Sequence, residues 1–193
     1  MPGARLHCER SPDIARVSDP RRISERVLFD SPRFRLSDEA FATPDGTITK
    51  ALIHHPGAVA VIAQPTSDEV LLVRQYRYSV QAWTLEIPAG TRTPGEAAAV
   101  TAARELAEET GWRAQRLSEL GRFHPAVGVS DEEMILFRAE GLTPGAAAPE
   151  PGELVRVERL RLSALPAARY DAKTLIALAL LGVSTERLLR GSA

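Results

Sequence analysis

Three glutamates, Glu105, Glu108 and Glu109, stand three and four positions apart inside an Ala- and Glu-rich segment. On a helix that spacing gathers their carboxylates within about a 100° arc. The arc borders the segment's apolar stripe and does not lie opposite it. Two kinds of chemistry fit. A hard divalent cation such as Mg²⁺ takes oxygen ligands, and clustered carboxylates with a backbone carbonyl would suit it. The plainer alternative is a solvated acidic helix face, which is common in Glu-rich helices.

The elements that must position these groups are legible in outline. Residues 96–110 lack interior Gly or Pro and should form a helix closed by Gly111, with Ala99, Ala102, Ala103, Leu106 and Thr110 on its core face. Strands are expected at residues 25–29, 34–36, 47–53, 58–63, 69–77, 83–87, 134–139 and 154–157. The run 58–63 is apolar throughout and should be buried on both faces. Asp171–Leu181 reads as a second helix capped by Asp171, and Gly141–Gly152 reads as a loop. Many strands with two helices predict an α/β (α+β) chain with a mixed sheet. Residues 1–22 read as a flexible arm, 23–56 as a small N-terminal β-sheet, 57–186 as the main domain and 187–193 as a tail.

Composition narrows the class of partner. The chain has 193 residues, 44% of them hydrophobic, enough for one domain with a real core. Lys and Arg number 24 against 25 Asp and Glu, a net charge of −1 that argues against nucleic acid or an anionic membrane as partner. The longest apolar run, Leu175–Val183, is too short to span a bilayer, and no signal peptide is visible, so a cytoplasmic location is expected. Cys8 is the only cysteine, which excludes an internal disulfide and a thiolate metal cluster.

The wider spacing is more specific than the helix. Gly90, Glu96, Arg104, Glu105, Glu108, Glu109 and Gly111, with apolar Leu106 and Trp112, occupy every specified position of a Nudix box. The chain therefore resembles the Nudix hydrolases. That resemblance implies the Nudix fold, a mixed β-sheet sandwiched between helices, and Mg²⁺-dependent cleavage of a nucleoside diphosphate linked to another moiety, with Mn²⁺ as a substitute. It implies Glu105 and Glu109 as principal metal ligands, Glu108 as a further ligand or a holder of metal-bound water, and the Ala89 carbonyl as completing the set. Arg104 and Glu96 would pair and, with Gly90 and Gly111, support the loop and helix. The catalytic base of related enzymes comes from a loop glutamate outside the box. Glu153, just before the strand at Leu154, is the first candidate for base or metal ligand, and Glu150 is the second.

The resemblance extends over about residues 24–182. His55–Val61, Val73–Arg77, Leu85–Gly90 and Asp171–Thr174 look like the ADP-ribose and sugar-nucleotide pyrophosphatase branch. The branch implies Arg77 as the phosphate-binding cation, with Arg74 beside it and Glu86 near metal or substrate. ADP-ribose enzymes carry a proline where this chain has Val127, followed here by Gly128 and Ser130-Asp131-Glu132. Val127 and Glu132 are thus expected at the substrate pocket. ADP-ribose leads as substrate; GDP-mannose, other sugar nucleotides and FAD stay open. The branch further implies a homodimer joined through the N-terminal sheet. A ligand-sensing regulator built on the same domain is the reading from another class, disfavoured by the intact box.

Overall fold

The structure is a computed structural model that describes residues 19–148 and 154–190. Three antiparallel strands open the chain: β1 (Arg21–Asp30), β2 (Arg35–Thr43) and β3 (Gly46–His54). The turn before β3 needs Gly46, whose φ is 121°. These strands outrun their apolar cores, because Arg21 and Arg22 already pair with Ala42 and Phe41. The expected arm therefore gives way to ordered strand at residue 21, and residues 1–18 lie outside the described part.

Two further sheets make the core. One has the order β7 (Ala89–Thr91), β4 (Ala58–Ala63), β9 (Met134–Glu140), β8 (Arg116–Phe123), with β4 and β9 parallel. The other has β10 (Val155–Arg161), β5 (Glu69–Arg77) and β6 (Ala82–Glu86), all antiparallel. Strand β4 is buried throughout because its side chains alternate between two cores. Val59, Val61 and Ala63 join Leu71, Ile135 and Phe137 under Ala102 and Leu106 of α1 (Ala98–Thr110). Ala60 and Ile62 join Leu72, Leu85 and Leu136 under Ala177 and Leu178 of α2 (Ala172–Leu180). This is the mixed α+β class that the residue pattern implied, in the sandwich arrangement that the resemblance implied.

Three details differ from expectation. Helix α1 begins at Ala98, two residues late, and its buried face is Thr101, Ala102, Leu106, Glu109 and Thr110. Ala99 and Ala103 are exposed, so the helix is rolled to turn Glu109 inward. Residues 187–190 are no tail: they belong to α3 (Glu186–Arg190), whose Leu188 is buried in the α2-side core. Strands β7 and β8 were not foreseen.

Candidate active site

Strand β7 runs against α1 and supplies the backbone around which the carboxylates gather. A Cβ added at Gly90 would lie 2.0 Å from Glu105 Cδ, so only glycine lets this side chain lie flat on the strand. One turn later, Glu109 is 6% exposed, and its Oε2 accepts a hydrogen bond from Ala89 N–H at 3.0 Å. The same roll of α1 that buries Leu106 therefore brings two box glutamates onto Ala89 and Gly90. They border a cleft of ≈ 450 Å³ whose other walls include Gln75, Arg77, Arg92 and Arg104. Gly111, the left-handed C-cap of α1 at φ 76°, ends the helix where a Cβ would meet Gly145 O at 2.6 Å.

Glu108 shares the Arg104 guanidinium with Glu105. Arg104 Nη1 lies 2.9 Å from Glu108 Oε2 and 2.8 Å from Glu105 Oε1, while its Nη2 reaches Glu96 only at 3.9 Å. The expected Arg104–Glu96 pair is thus the longest of three contacts, because crowded carboxylates hold the nearest cation. Burial opposes charge on Arg104, but Glu105 and Glu108 outweigh it and raise its pKa. Glu96 instead accepts a hydrogen bond from Thr101 Oγ1 at 2.7 Å, tying the loop to α1.

The donor set fits a hard divalent cation. It offers carboxylate oxygens and a peptide carbonyl, with no sulfur or imidazole, and it lies in a cleft with unused polar atoms. Gln75 Oε1 and Arg92 Nε are both buried there without a hydrogen-bond partner. Arg92 lines the cleft with Glu105 and Glu109 and makes no ion pair among the described residues. Sequence reasoning passed over Arg92 and Gln75. The first is a cation two places beyond the box glycine, and the second sits on the same strand face as Arg77.

Arg77 closes the cleft from the end of β5. Its Nε donates to Glu86 Oε1 at 2.7 Å and its Nη2 to Oε2 at 2.5 Å, which leaves Nη1 outside this pair, and the residue lines the cleft. Thr84 Oγ1 also donates to Glu86, at 2.6 Å. Lys173, in the first turn of α2, bonds both Glu86 and Asp171, and Asp171 caps α2 by accepting from Thr174 N–H at 3.0 Å. Burial alone would raise the Glu86 pKa, but the Arg77 hydrogen bonds and the Lys173 charge hold it far below the usual carboxylate range. Lys173 was missed as a site residue, although a lone cation in an otherwise apolar helix was its signal.

Arg74 does not join this group. It forms an ion pair with Glu158 of β10, on the other side of β5 from Arg77. Residues three apart on a strand face opposite ways, so the Arg74 and Arg77 side chains lie on opposite faces of β5. Next to the first cleft, and sharing Arg77, Ala89 and Gly90 with it, is a second of ≈ 300 Å³ walled by Pro125, Glu132, Met134 and Lys173. Glu132 is therefore at the cleft, whereas Val127 is 77% exposed at a turn closed by Val129 N–H and Ser130 N–H on Ala126 O. Pro125, and not Val127, supplies the apolar wall. Glu150 and Glu153 lie outside the described residues.

Gly90→Ala should leave the fold intact, because the clash falls on the flexible end of Glu105, and should lower activity about 10-fold by displacing that carboxylate. Circular dichroism and steady-state rates check both halves; an unchanged rate would detach Glu105 from the site.

A family model described as NUDIX domain matches residues 53–179. The chain is 34% identical to a methanol dehydrogenase activator of Bacillus methanolicus over 172 residues, covering 85% of this chain and 93% of that one. It is also 34% identical to an ADP-ribose pyrophosphatase of Bacillus subtilis over 164 residues, covering 81% of this chain and 89% of that one. A solved structure described as an ADP compounds hydrolase superposes with a TM-score of 0.69 at 21% identity, covering 91% of this chain and 96% of that one, a likeness of fold.

Proposed function

The chain belongs to the NUDIX hydrolase family, and from that premise we propose that it hydrolyses the diphosphate bond of a nucleoside diphosphate sugar. ADP-ribose is the leading substrate, giving AMP and ribose 5-phosphate; the ADP-ribose pyrophosphatase of Bacillus subtilis supports this choice. The observation that carries the reading is a single cleft in which the carboxylates of Glu105 and Glu109 meet the cations Arg77 and Arg92. Opposed charges lining one cleft are what a metal-bound diphosphate requires.

In this reading Glu105, Glu109 and the Ala89 carbonyl would hold Mg²⁺, or Mn²⁺ in its place, with Glu108 as a further ligand or a holder of water beside the ion. The ion neutralises phosphate charge and acidifies water when bound. The chain's own residues do the rest. Arg77 offers the diphosphate the donors that Glu86 leaves unused, and the Glu86–Lys173–Asp171 group fixes its orientation. Arg92 adds a second cation. Glu132 accepts hydrogen bonds from sugar hydroxyls beside Pro125. Water attacks one phosphorus, the bridging P–O bond breaks, and the water's proton passes to Glu153, with Glu150 the second choice of base.

A homodimer through the N-terminal sheet completes the proposal. Ile23, Val27, Leu28, Phe29 and Ile48 leave an exposed apolar surface on β1 and β3, and a second copy of that surface would cover it. No described helix is long and apolar enough to cross a membrane.

The test is a Mg²⁺-dependent hydrolysis panel of ADP-ribose, GDP-mannose, UDP-glucose, FAD, NADH and dinucleoside polyphosphates. ADP-ribose should show the highest kcat/KM, and the enzyme should sediment as a dimer. A preference for nucleoside triphosphates would overturn the substrate class.

A further inference from the structure

His54 ends β3 between two carboxylates that come from opposite directions. Its Nδ1 is 2.7 Å from Asp131 Oδ2, and its Nε2 is 2.5 Å from Glu39 Oε1 and 3.1 Å from Ser37 Oγ. Glu39, on β2, is 2% exposed, whereas Asp131 belongs to the segment between β8 and β9. That segment is also stitched to β3 by its backbone: Ile53 N–H donates to Val129 O at 2.8 Å and Asp131 N–H to Ile53 O at 3.2 Å. His55 N–H donates to Asp131 Oδ1 at 2.8 Å. The next residue, Glu132, and Pro125 earlier in the same segment, form the wall of the ≈ 300 Å³ cleft that faces Arg77 and Lys173.

A neutral imidazole has one N–H and serves one carboxylate; only the imidazolium donates to both. The double contact therefore requires a proton on each ring nitrogen. The charges around it are accounted for. On β1, Arg22 lies 3.3 Å from Glu39 and 3.4 Å from Glu25; on β2, Arg35 is the register partner of His54 and bonds Glu25 at 3.3 Å. On the other side His55 Nδ1 and Glu132 Oε1 are 4.0 Å apart. Donor atoms of Glu25, Glu39 and His54 lie within 4.8 Å of one another, but a metal there would need the Nε2 lone pair, which the Glu39 contact uses for a proton.

We propose that protonated His54 is a positioning residue for the substrate cleft, clasping Asp131 to Glu39 so that Glu132 and Pro125 stand where the sugar moiety binds. The inference rests on the hydrolase reading for its substrate, but the clasp itself does not. The Asp131 hydrogen bond raises the His54 pKa above 6.5; burial opposes this and Glu39 adds to it. Burial would raise the Asp131 pKa, but the His55 and His54 hydrogen bonds hold it below its ordinary value. A folded-state pKa above the unfolded one means that the clasp is present in acid and is lost as pH rises through the raised value.

The experiment pairs kinetics with NMR. In the wild type, KM for the best panel substrate should rise with pH as His54 deprotonates. His54→Gln should raise KM about 10-fold near pH 6, change kcat by less than about twofold, and abolish that rise, since a carboxamide does not titrate and carries its N–H donors on one nitrogen instead of on the two opposed ring atoms that meet Asp131 and Glu39. Asp131→Asn keeps the His55 contact and should lower the His54 pKa measured by ring ¹⁵N titration. The backbone amides of residues 129–132 should shift with that same titration in the wild type. If the wild type hydrolyses nothing in the panel, the hydrolase reading fails while the amide titration still decides the clasp. If hydrolysis proceeds but KM in His54→Gln matches the wild type at every pH, or the 129–132 amides ignore the His54 titration, the proposal is overturned.

Discussion

Glu109→Gln should fold like the wild type and lower turnover in Mg²⁺ at least ~100-fold. The substitution is nearly isosteric, and the amide oxygen accepts the hydrogen bond from Ala89 N–H that Glu109 Oε2 accepts at 3.0 Å. The α1–β7 contact is therefore kept and only the charge is removed. A hard cation prefers an anionic oxygen to an amide oxygen, and ~100-fold corresponds to about 2.7 kcal/mol of barrier. Raising Mg²⁺ should restore part of the rate if weakened metal binding is the cause. Glu108→Gln is the internal control. Its carboxylate is engaged by Arg104 and takes no part in the Ala89 hydrogen bond, and its loss should cost less than about 10-fold. Steady-state rates across a Mg²⁺ titration, with thermal unfolding to confirm the fold, measure both; near-wild-type rates in Glu109→Gln would remove it from the metal set.

How far these groups could be seen in the chain depends on whether their partners are local. The apolar run of β4 and the Ala/Glu stretch closed by Gly111 announce buried strand and helix, because burial of six consecutive apolar residues and a left-handed cap leave local marks. The box spacing is local too, and it marks Glu105 and Glu109 correctly as neighbours in space. Strand β8 is not legible: it is exposed along much of its length and carries a bulge between Glu119 and Gly121, which erases alternation. The start of α1 was misplaced because Glu96 binds Thr101 from the preceding loop and does not enter the helix. The separation of Arg74 from Arg77 was available from strand periodicity alone, yet clustering by type obscured it. The exposure of Val127 and the pairing of His54 with Asp131, 77 positions away, depend on how two distant segments dock. No local pattern encodes that.

Lys173→Met should destabilise the protein by about 2–3 kcal/mol, less than the ~3–5 typical of a buried ion pair stripped of its only partner. The reason lies in the group around Glu86, which is 1% exposed and must remain ionised in the core. Removing Lys173 takes away one of two cations, but Arg77 still donates twice and Thr84 once to the carboxylate. Asp171 is less affected, since it keeps its cap bond to Thr174 N–H. The shortfall in charge should show most clearly in acid. The Glu86 pKa is depressed by folding, so its contribution is present above the ordinary carboxylate pKa and fades as pH falls; with Lys173 gone, that loss should begin at higher pH. Glu86→Gln reverses the imbalance by leaving two cations without their carboxylate, so it too should destabilise. The double variant, with neither the buried anion nor the buried ammonium, should be more stable than the sum of the single losses predicts, by at least about 1 kcal/mol. Urea midpoints of the four proteins, with equal m-values, measure this coupling. Strict additivity would mean that Lys173 and Glu86 stabilise the fold independently, and the orientation of Arg77 would then rest on Glu86 and Thr84 alone.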